Sequence, residues 1–182
     1  MSRALLLVDP QNDFIDGSLP VPGAPQAMRA LAAFLESNPE RYSIKIITLD
    51  WHPWKHSSFK ENGGLWPTHC LAYSQGAAIW PPLALALAAC SGELAFMTKG
   101  CLIDKDEYSI FQNFDSAHRI IALLKRYRIK NLDLCGLAGD VCVLNTLKDA
   151  LDMSWIPEIT ILTKFSPSLD GGEKLNKFLE EC

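Results

Sequence analysis

The sequence predicts an α/β fold, a mostly parallel sheet flanked by helices on both faces. Three observations predict it. Short apolar runs rich in Leu, Ile and Val recur at residues 4–8, 44–49, 94–97, 132–135 and 159–162. Near-continuous runs of this kind suit parallel strands buried on both faces. Segments with helical apolar spacing fall between several of them, and such alternation is the mark of strands joined by crossover helices. The first four runs also end in charged or turn-forming residues: Asp9, Asp50, Lys99 and the stretch Gly136-Leu137-Ala138-Gly139-Asp140. In open α/β sheets a site is built beyond the carboxyl ends of the strands.

The helices follow in order. Pro25 opens one that runs to about residue 35, with Met28, Leu31, Ala32 and Leu35 on one face. Asp115 is the expected cap of a second, in which Ala117, Ile120, Ile121 and Leu124 share a face. Its basic end, Lys125, Arg126 and Arg128, suits the negative end of the helix dipole. A third starts near Cys142, with Val143, Leu147, Ala150 and Leu151 inward, and a short last one groups Leu175, Phe178 and Leu179. Residues 51–82 break this rhythm. They hold four of the five Trp and three of the four His, with Gly63-Gly64 and several Pro. A stretch this long without period inside a compact domain is usually functional.

Composition bounds the rest. At 182 residues and 48% apolar content, the chain suits one globular domain, 1–182, with an insertion at about 51–82. A net charge of -4 and the lack of a basic patch interleaved with aromatics argue against nucleic acid. The apolar run before Asp9 is too short for a signal core. Residues 83–89 fall well below the ~20 residues of a membrane span. The expectation is therefore a cytoplasmic protein with no membrane contact. The six Cys show no CxxC pair, so free thiols are expected rather than a four-thiolate zinc site. No hydrophobic surface stripe selects an oligomeric state, and a homo-oligomer stays open.

One thiol is set apart. Cys142 follows a Gly-containing turn at an expected helix start, where unpaired N–H groups favour a thiolate and can bind an oxyanion. The competing reading is a small buried apolar side chain, the commoner fate of a cysteine. Asp9 could equally cap the turn that follows it, and a lone strand-end Lys99 is more often solvated. Together they form a coherent set: a carboxylate to take the thiol proton and an ammonium to hold the charges. Asp50-Trp51-His52 places a carboxylate and an imidazole at a strand end, and His56 and His69 return from the loop. Oxygen and nitrogen donors of this kind suit zinc, iron or manganese. No fixed-spacing metal motif accompanies them, and loop histidines often serve only as hydrogen-bond partners.

At these residues the sequence resembles a known family. Asp9-Pro10-Gln11-Asn12-Asp13-Phe14, followed by Gly17-Ser18-Leu19-Pro20-Val21, is similar to the opening of nicotinamidases, which are isochorismatase-like cysteine hydrolases. Thr48-Leu49-Asp50-Trp51-His52-Pro53 with His56, Ser58 and Phe59, and then Gly63-Gly64-Leu65-Trp66-Pro67-Thr68-His69-Cys70, resemble their metal segment. Lys99-Gly100 with Tyr108-Ser109 and Phe111 is similar to the catalytic-lysine region, and Gly136 to Val143 resembles the nucleophile turn. The blocks keep family order from residue 4 to about 150.

The resemblance implies a six-stranded, mainly parallel, Rossmann-like three-layer sheet. It implies Asp9, Lys99 and Cys142 as catalytic residues, and the N–H groups of Ala138 and Cys142 as an oxyanion hole beside a cis Leu137–Ala138 bond. It implies one divalent metal, zinc first with iron or manganese as alternatives, on Asp50, His52 and His69. His56 and Glu61 are further candidates for that shell. Phe14 and Trp66 would flank a pyridine ring, with Leu19, Val21, Leu137 and Val141 completing the wall. The implied reaction is hydrolysis of nicotinamide to nicotinate and ammonia through a thioester, a step of NAD salvage. The second enzymatic reading is an amidase of the same family, which includes pyrazinamidases, acting on another small amide. Gly139 and Val141 depart from the family, where Thr and an aromatic or His are common. The histidines argue against isochorismate-type relatives, which lack them. A catalytically dead metal-binding domain is the rival from another class.

Overall fold

The computed structural model describes residues 2–153 and 158–181. Its sheet has five parallel strands in the order β3-β2-β1-β4-β5. They are β1 Arg3–Val8, β2 Ile44–Asp50, β3 Glu93–Lys99, β4 Asn131–Gly136 and β5 Glu158–Ile161. All five expected strands are present, and the sheet thus differs from the six-stranded expectation by one strand among the described residues.

Alternation along the central strand builds two cores. Leu5 and Leu7 of β1 face one side, where they pack with Ile47 of β2 against helices α2 (Ala24–Ser37) and α3 (Pro81–Ala89). Ala4, Leu6 and Val8 face the other side, against α4 (Phe114–Arg126) and α5 (Leu144–Leu151). The period of two thus sorts one strand between two layers of helix. A short α1 (Asn12–Ile15) and a final α6 (Glu173–Glu181) complete the set. No helix among the described residues is long and apolar enough to cross a membrane.

The helices differ from the sequence expectation in four places. The cap of α4 is Asn113, whose side chain accepts from the Ser116 N–H at 3.1 Å, while Asp115 lies inside the first turn. Ile121 of α4 is half-buried rather than fully inward. Leu151, expected inward, is exposed at the end of α5. Helix α3 has no counterpart in the sequence reading. Its residues Pro-Pro-Leu-Ala-Leu-Ala-Leu-Ala-Ala are apolar all round, so they show no amphipathic period, and the leading prolines read as loop.

The segment 51–82 is irregular but tied down. Isolated bridges join His52 to Leu71, Phe59 to Trp66 and Gln11 to Ile79. Asp13 anchors it further. Its Oδ2 accepts the Cys70 N–H at 2.7 Å, next to His69.

Strand order decides where a site can form. From β1 the chain moves outward through β2 to β3, then returns to the other side of β1 for β4. The crevice where that order reverses, between the carboxyl ends of β1 and β4, is the switch point at which α/β proteins bind ligands. Asp9 leaves β1 there, and the turn after β4 carries Cys142.

Candidate active site

Four strand ends deliver their side chains to one buried cluster. Asp9, Asp50, Lys99 and Cys142 are each at most 5% exposed. Lys99 is the hub. Its Nζ pairs with Asp50 Oδ1, lies 2.8 Å from Asp9 Oδ2, and reaches Cys142 Sγ at 3.5 Å. Asp9 sits at φ +47°, a left-handed backbone that turns its carboxylate into the crevice. Thr48 fixes that carboxylate by donating its hydroxyl to Oδ1 at 2.6 Å. Oδ2 faces the ammonium outside hydrogen-bond geometry, so this buried atom keeps a lone pair directed into the cluster.

The electrostatics of the cluster separate its members. Burial and the neighbouring Asp50 raise Asp9, while Lys99 opposes them without prevailing. Burial would also raise Asp50, but Lys99, His52 and His69 together hold it well below the ordinary carboxylate range. Burial opposes the charge on Lys99, and the two carboxylates more than compensate, so its ammonium is held firmly. The Cys142 thiol is pushed well up, by burial first and then by Asp9 and Asp50 against Lys99. Burial of the sulfur, the largest cause, thus works against the thiolate that a helix start favours, and the two carboxylates add to it against Lys99. Cys142 also lies inside a π-helical turn, Gly139–Val143, which leads into α5. The Leu137–Ala138 bond before that turn is cis.

A second group adjoins the first. Asp50 Oδ2 lies 3.5 Å from His52 Nε2 and 3.8 Å from His69 Nε2. Each ring is held from behind, His52 Nδ1 at 3.0 Å from the Gly100 carbonyl and His69 Nδ1 at 2.8 Å from the Pro67 carbonyl. A backbone acceptor at Nδ1 fixes the tautomer that leaves Nε2 free as a ligand. Metal bonds of about 2.0–2.1 Å in a tetrahedral site set donor atoms about 3.4 Å apart. The observed separations fit that spacing, and the donor set suits a divalent ion.

His56 and Glu61 are not brought into this group. The His56 ring stacks on His52, but its Nδ1 is on Ser58 Oγ at 2.7 Å and its Nε2 on the Lys105 carbonyl at 3.1 Å. Both nitrogens are therefore engaged. Glu61 takes the Thr68 hydroxyl at the surface. Leu137 likewise departs from its expected place on the pocket wall. It is fully buried in the core with Leu5, Leu7 and Cys135.

A pocket opens onto Cys142. Phe14, Leu19, Val21, Trp66 and Val141 line it, together with Ala138, Asp50 and His69. Its apolar lining with few polar groups suits a small ring compound. Asp106, Tyr108 and Leu169 also line it, without having been assigned to the wall from sequence. Tyr108 braces Trp66, accepting its indole N–H at 3.1 Å.

The Isochorismatase domain family matches residues 3–153. The chain belongs to the isochorismatase family. A nicotinamidase of Escherichia coli is 32% identical to it, over 88% of this chain and 81% of that one. The crystal structure of a Pyrococcus horikoshii pyrazinamidase in complex with zinc is 29% identical and superposes with a TM-score of 0.82, covering 100% of this chain and 94% of the other. The yeast nicotinamidase bound to the inhibitor nicotinaldehyde is 25% identical with a TM-score of 0.84, covering 98% and 94%. Within the isochorismatase family the chain thus groups with the nicotinamidase hydrolases.

Gly139 has no room for a side chain. A Cβ there would lie 2.3 Å from the Ser166 carbonyl oxygen and 2.5 Å from Ser168 Oγ. The space for a side chain is already filled by residues 166–168. Gly139→Thr is expected to destabilise the protein by roughly 1–3 kcal/mol through overpacking. A urea unfolding midpoint equal to that of the parent would show that the 166–168 backbone yields instead.

Proposed function

We propose that this protein hydrolyses nicotinamide to nicotinate and ammonia, with Cys142 as nucleophile, Asp9 as proton carrier and a divalent metal on Asp50, His52 and His69. The observation that carries this reading is the pairing of two constellations on one pocket. A cysteine within reach of a buried Lys–Asp pair lies beside a donor set fit for a metal, and both face a pocket with an apolar lining.

The chemistry follows from the charges. Cys142 rests as a thiol. Asp9 takes its proton as the sulfur attacks the carboxamide carbon, and Lys99 holds both the new thiolate and the remaining carboxylate in place. The N–H groups of Ala138 and Cys142, both wall residues, receive the oxyanion. Asp9 gives the proton to the departing nitrogen, so ammonia leaves and a thioester remains. Water, deprotonated by Asp9, then cleaves the thioester to the acid and restores the thiol. Phe14 and Trp66 hold the ring while this proceeds. When bound, the metal supplies a point of attachment for the ring nitrogen, directly or through water. Zinc is the first candidate, and iron and manganese suit the same donors. The same pocket would accept pyrazinamide, which presents the same amide on a similar ring.

The test is direct. Purified protein is incubated with nicotinamide, and ammonia and nicotinate are measured. Release is expected from the parent, none from Cys142→Ala, loss on chelation, and recovery on adding zinc. If the zinc-loaded parent releases no more ammonia than Cys142→Ala, the reading is wrong.

A further inference from the structure

His52 is supported from two directions by one short segment, residues 105–107. The first support passes through Gly100. The His52 ring gives its Nδ1–H to the Gly100 carbonyl at 3.0 Å and lies close to that backbone. A Cβ at Gly100 would fall 2.4 Å from His52 Cε1 and 2.6 Å from Nδ1, and φ is +66°, so only glycine allows the approach. The N–H of the same Gly100 donates to Glu107 Oε2 at 2.9 Å. Glu107 is 2% exposed, and it is itself fixed by Asn113 Nδ2 at 3.0 Å and Lys105 Nζ at 2.7 Å. The second support is His56, whose ring centroid stacks 4.1 Å from that of His52 and whose Nε2 is bonded to the Lys105 carbonyl.

We propose that Glu107 is a positioning residue for the metal: its buried carboxylate fixes the Gly100 backbone and, through it, the plane and tautomer of the His52 imidazole. The inference rests on the reading of Asp50, His52 and His69 as metal ligands. Glu107 touches neither metal nor substrate. It acts through two hydrogen bonds of ordinary length, carboxylate to the Gly100 N–H and Gly100 carbonyl to imidazole, with the backbone of Gly100 between them. Partners of this kind typically change metal affinity by about 10–100-fold when removed.

The test separates reach from charge. Metal-stripped protein is titrated with cobalt(II), read by its visible absorption, and with zinc, read against a competing chelator. Glu107→Ala is expected to weaken zinc binding about 10–100-fold and to change the cobalt spectrum. Glu107→Gln keeps an oxygen within reach of the Gly100 N–H and should bind within about threefold of the parent. Glu107→Asp keeps the charge but is one methylene too short, and should lose affinity as the alanine variant does. If Ala does not fold, the contrast between Gln and Asp still decides. Equal affinities for Gln and Asp, or an Ala variant that lowers only the melting temperature of the metal-free protein, would overturn the proposal. His52→Ala is the companion control. If it binds metal as the parent does, the ligand reading itself fails. If it loses the metal while all Glu107 variants keep parental affinity, only this inference fails.

Discussion

Asp9→Asn is expected to lower kcat for nicotinamide by about 10²–10⁴-fold with little change in KM. Asparagine matches aspartate in shape and can still accept the Thr48 hydroxyl at the Oδ1 position. Lys99 keeps Asp50 as a partner. What disappears is the one buried oxygen free to take a proton from a thiol that burial and carboxylates keep protonated. Asp9 is not among the residues lining the pocket, so substrate binding should hardly change and the loss should fall on the chemical step. Ammonia release under saturating and limiting nicotinamide gives both constants. A kcat reduced less than tenfold would mean that another group carries the proton.

Lys99→Met is expected to cost about 3–5 kcal/mol of stability in the metal-free protein, besides the activity. Methionine fills much the same volume. It leaves Asp9 and Asp50 facing each other, with no cation, in a site where both are buried. Charges stranded this way cost far more than an intact pair contributes. Adding Asp9→Asn to Lys99→Met removes one stranded charge and should recover part of the loss, a coupling of about 0.5–3 kcal/mol. Zinc should recover part of it as well, because the ion would neutralise Asp50. Urea unfolding of the parent, both single variants and the double variant measures these terms. A Lys99→Met protein as stable as the parent would show that the carboxylates are neutral at rest.

The strands were legible because burial on both faces writes itself into consecutive residues. Residues 4–8 and 44–49 need no partner to be recognised, and the strand ends then point to Asp9, Asp50 and Lys99. The candidate site could be read that far because each group occupies a topologically privileged position. What could not be read depends on contacts distant in sequence. Thr48 reaches Asp9 across 39 residues, and Glu107, though only seven residues from Gly100, reaches it from a segment whose lack of a regular period hides the contact. Leu137 sits one residue from the pocket wall yet packs into the core, a difference of side-chain direction that sequence does not encode. The surroundings of Cys142 are hidden for a similar reason. A helix start is visible in sequence, but the burial of the sulfur and the two carboxylates from other strands, which act against a thiolate, are not. Helix α3 was missed because a helix apolar all round has no face to betray it.

Gln11 shows how the sheet is carried past its own backbone. After Asp9 turns away, the next residue is Pro10, which has no N–H to offer β2. The Gln11 side chain stands in. Its Oε1 accepts the Asp50 N–H at 2.8 Å, and its Nε2 donates to the Asp50 carbonyl at 2.7 Å and the Ala77 carbonyl at 2.9 Å. A primary amide carries the same donor and acceptor as a peptide group, so the side chain serves as one more rung of the ladder. The main chain of Asp50 therefore stays locked in register after its neighbouring strand has gone. The carboxylate at the junction of nucleophile and metal is mounted as rigidly as a residue in mid-sheet, although it stands at the open end.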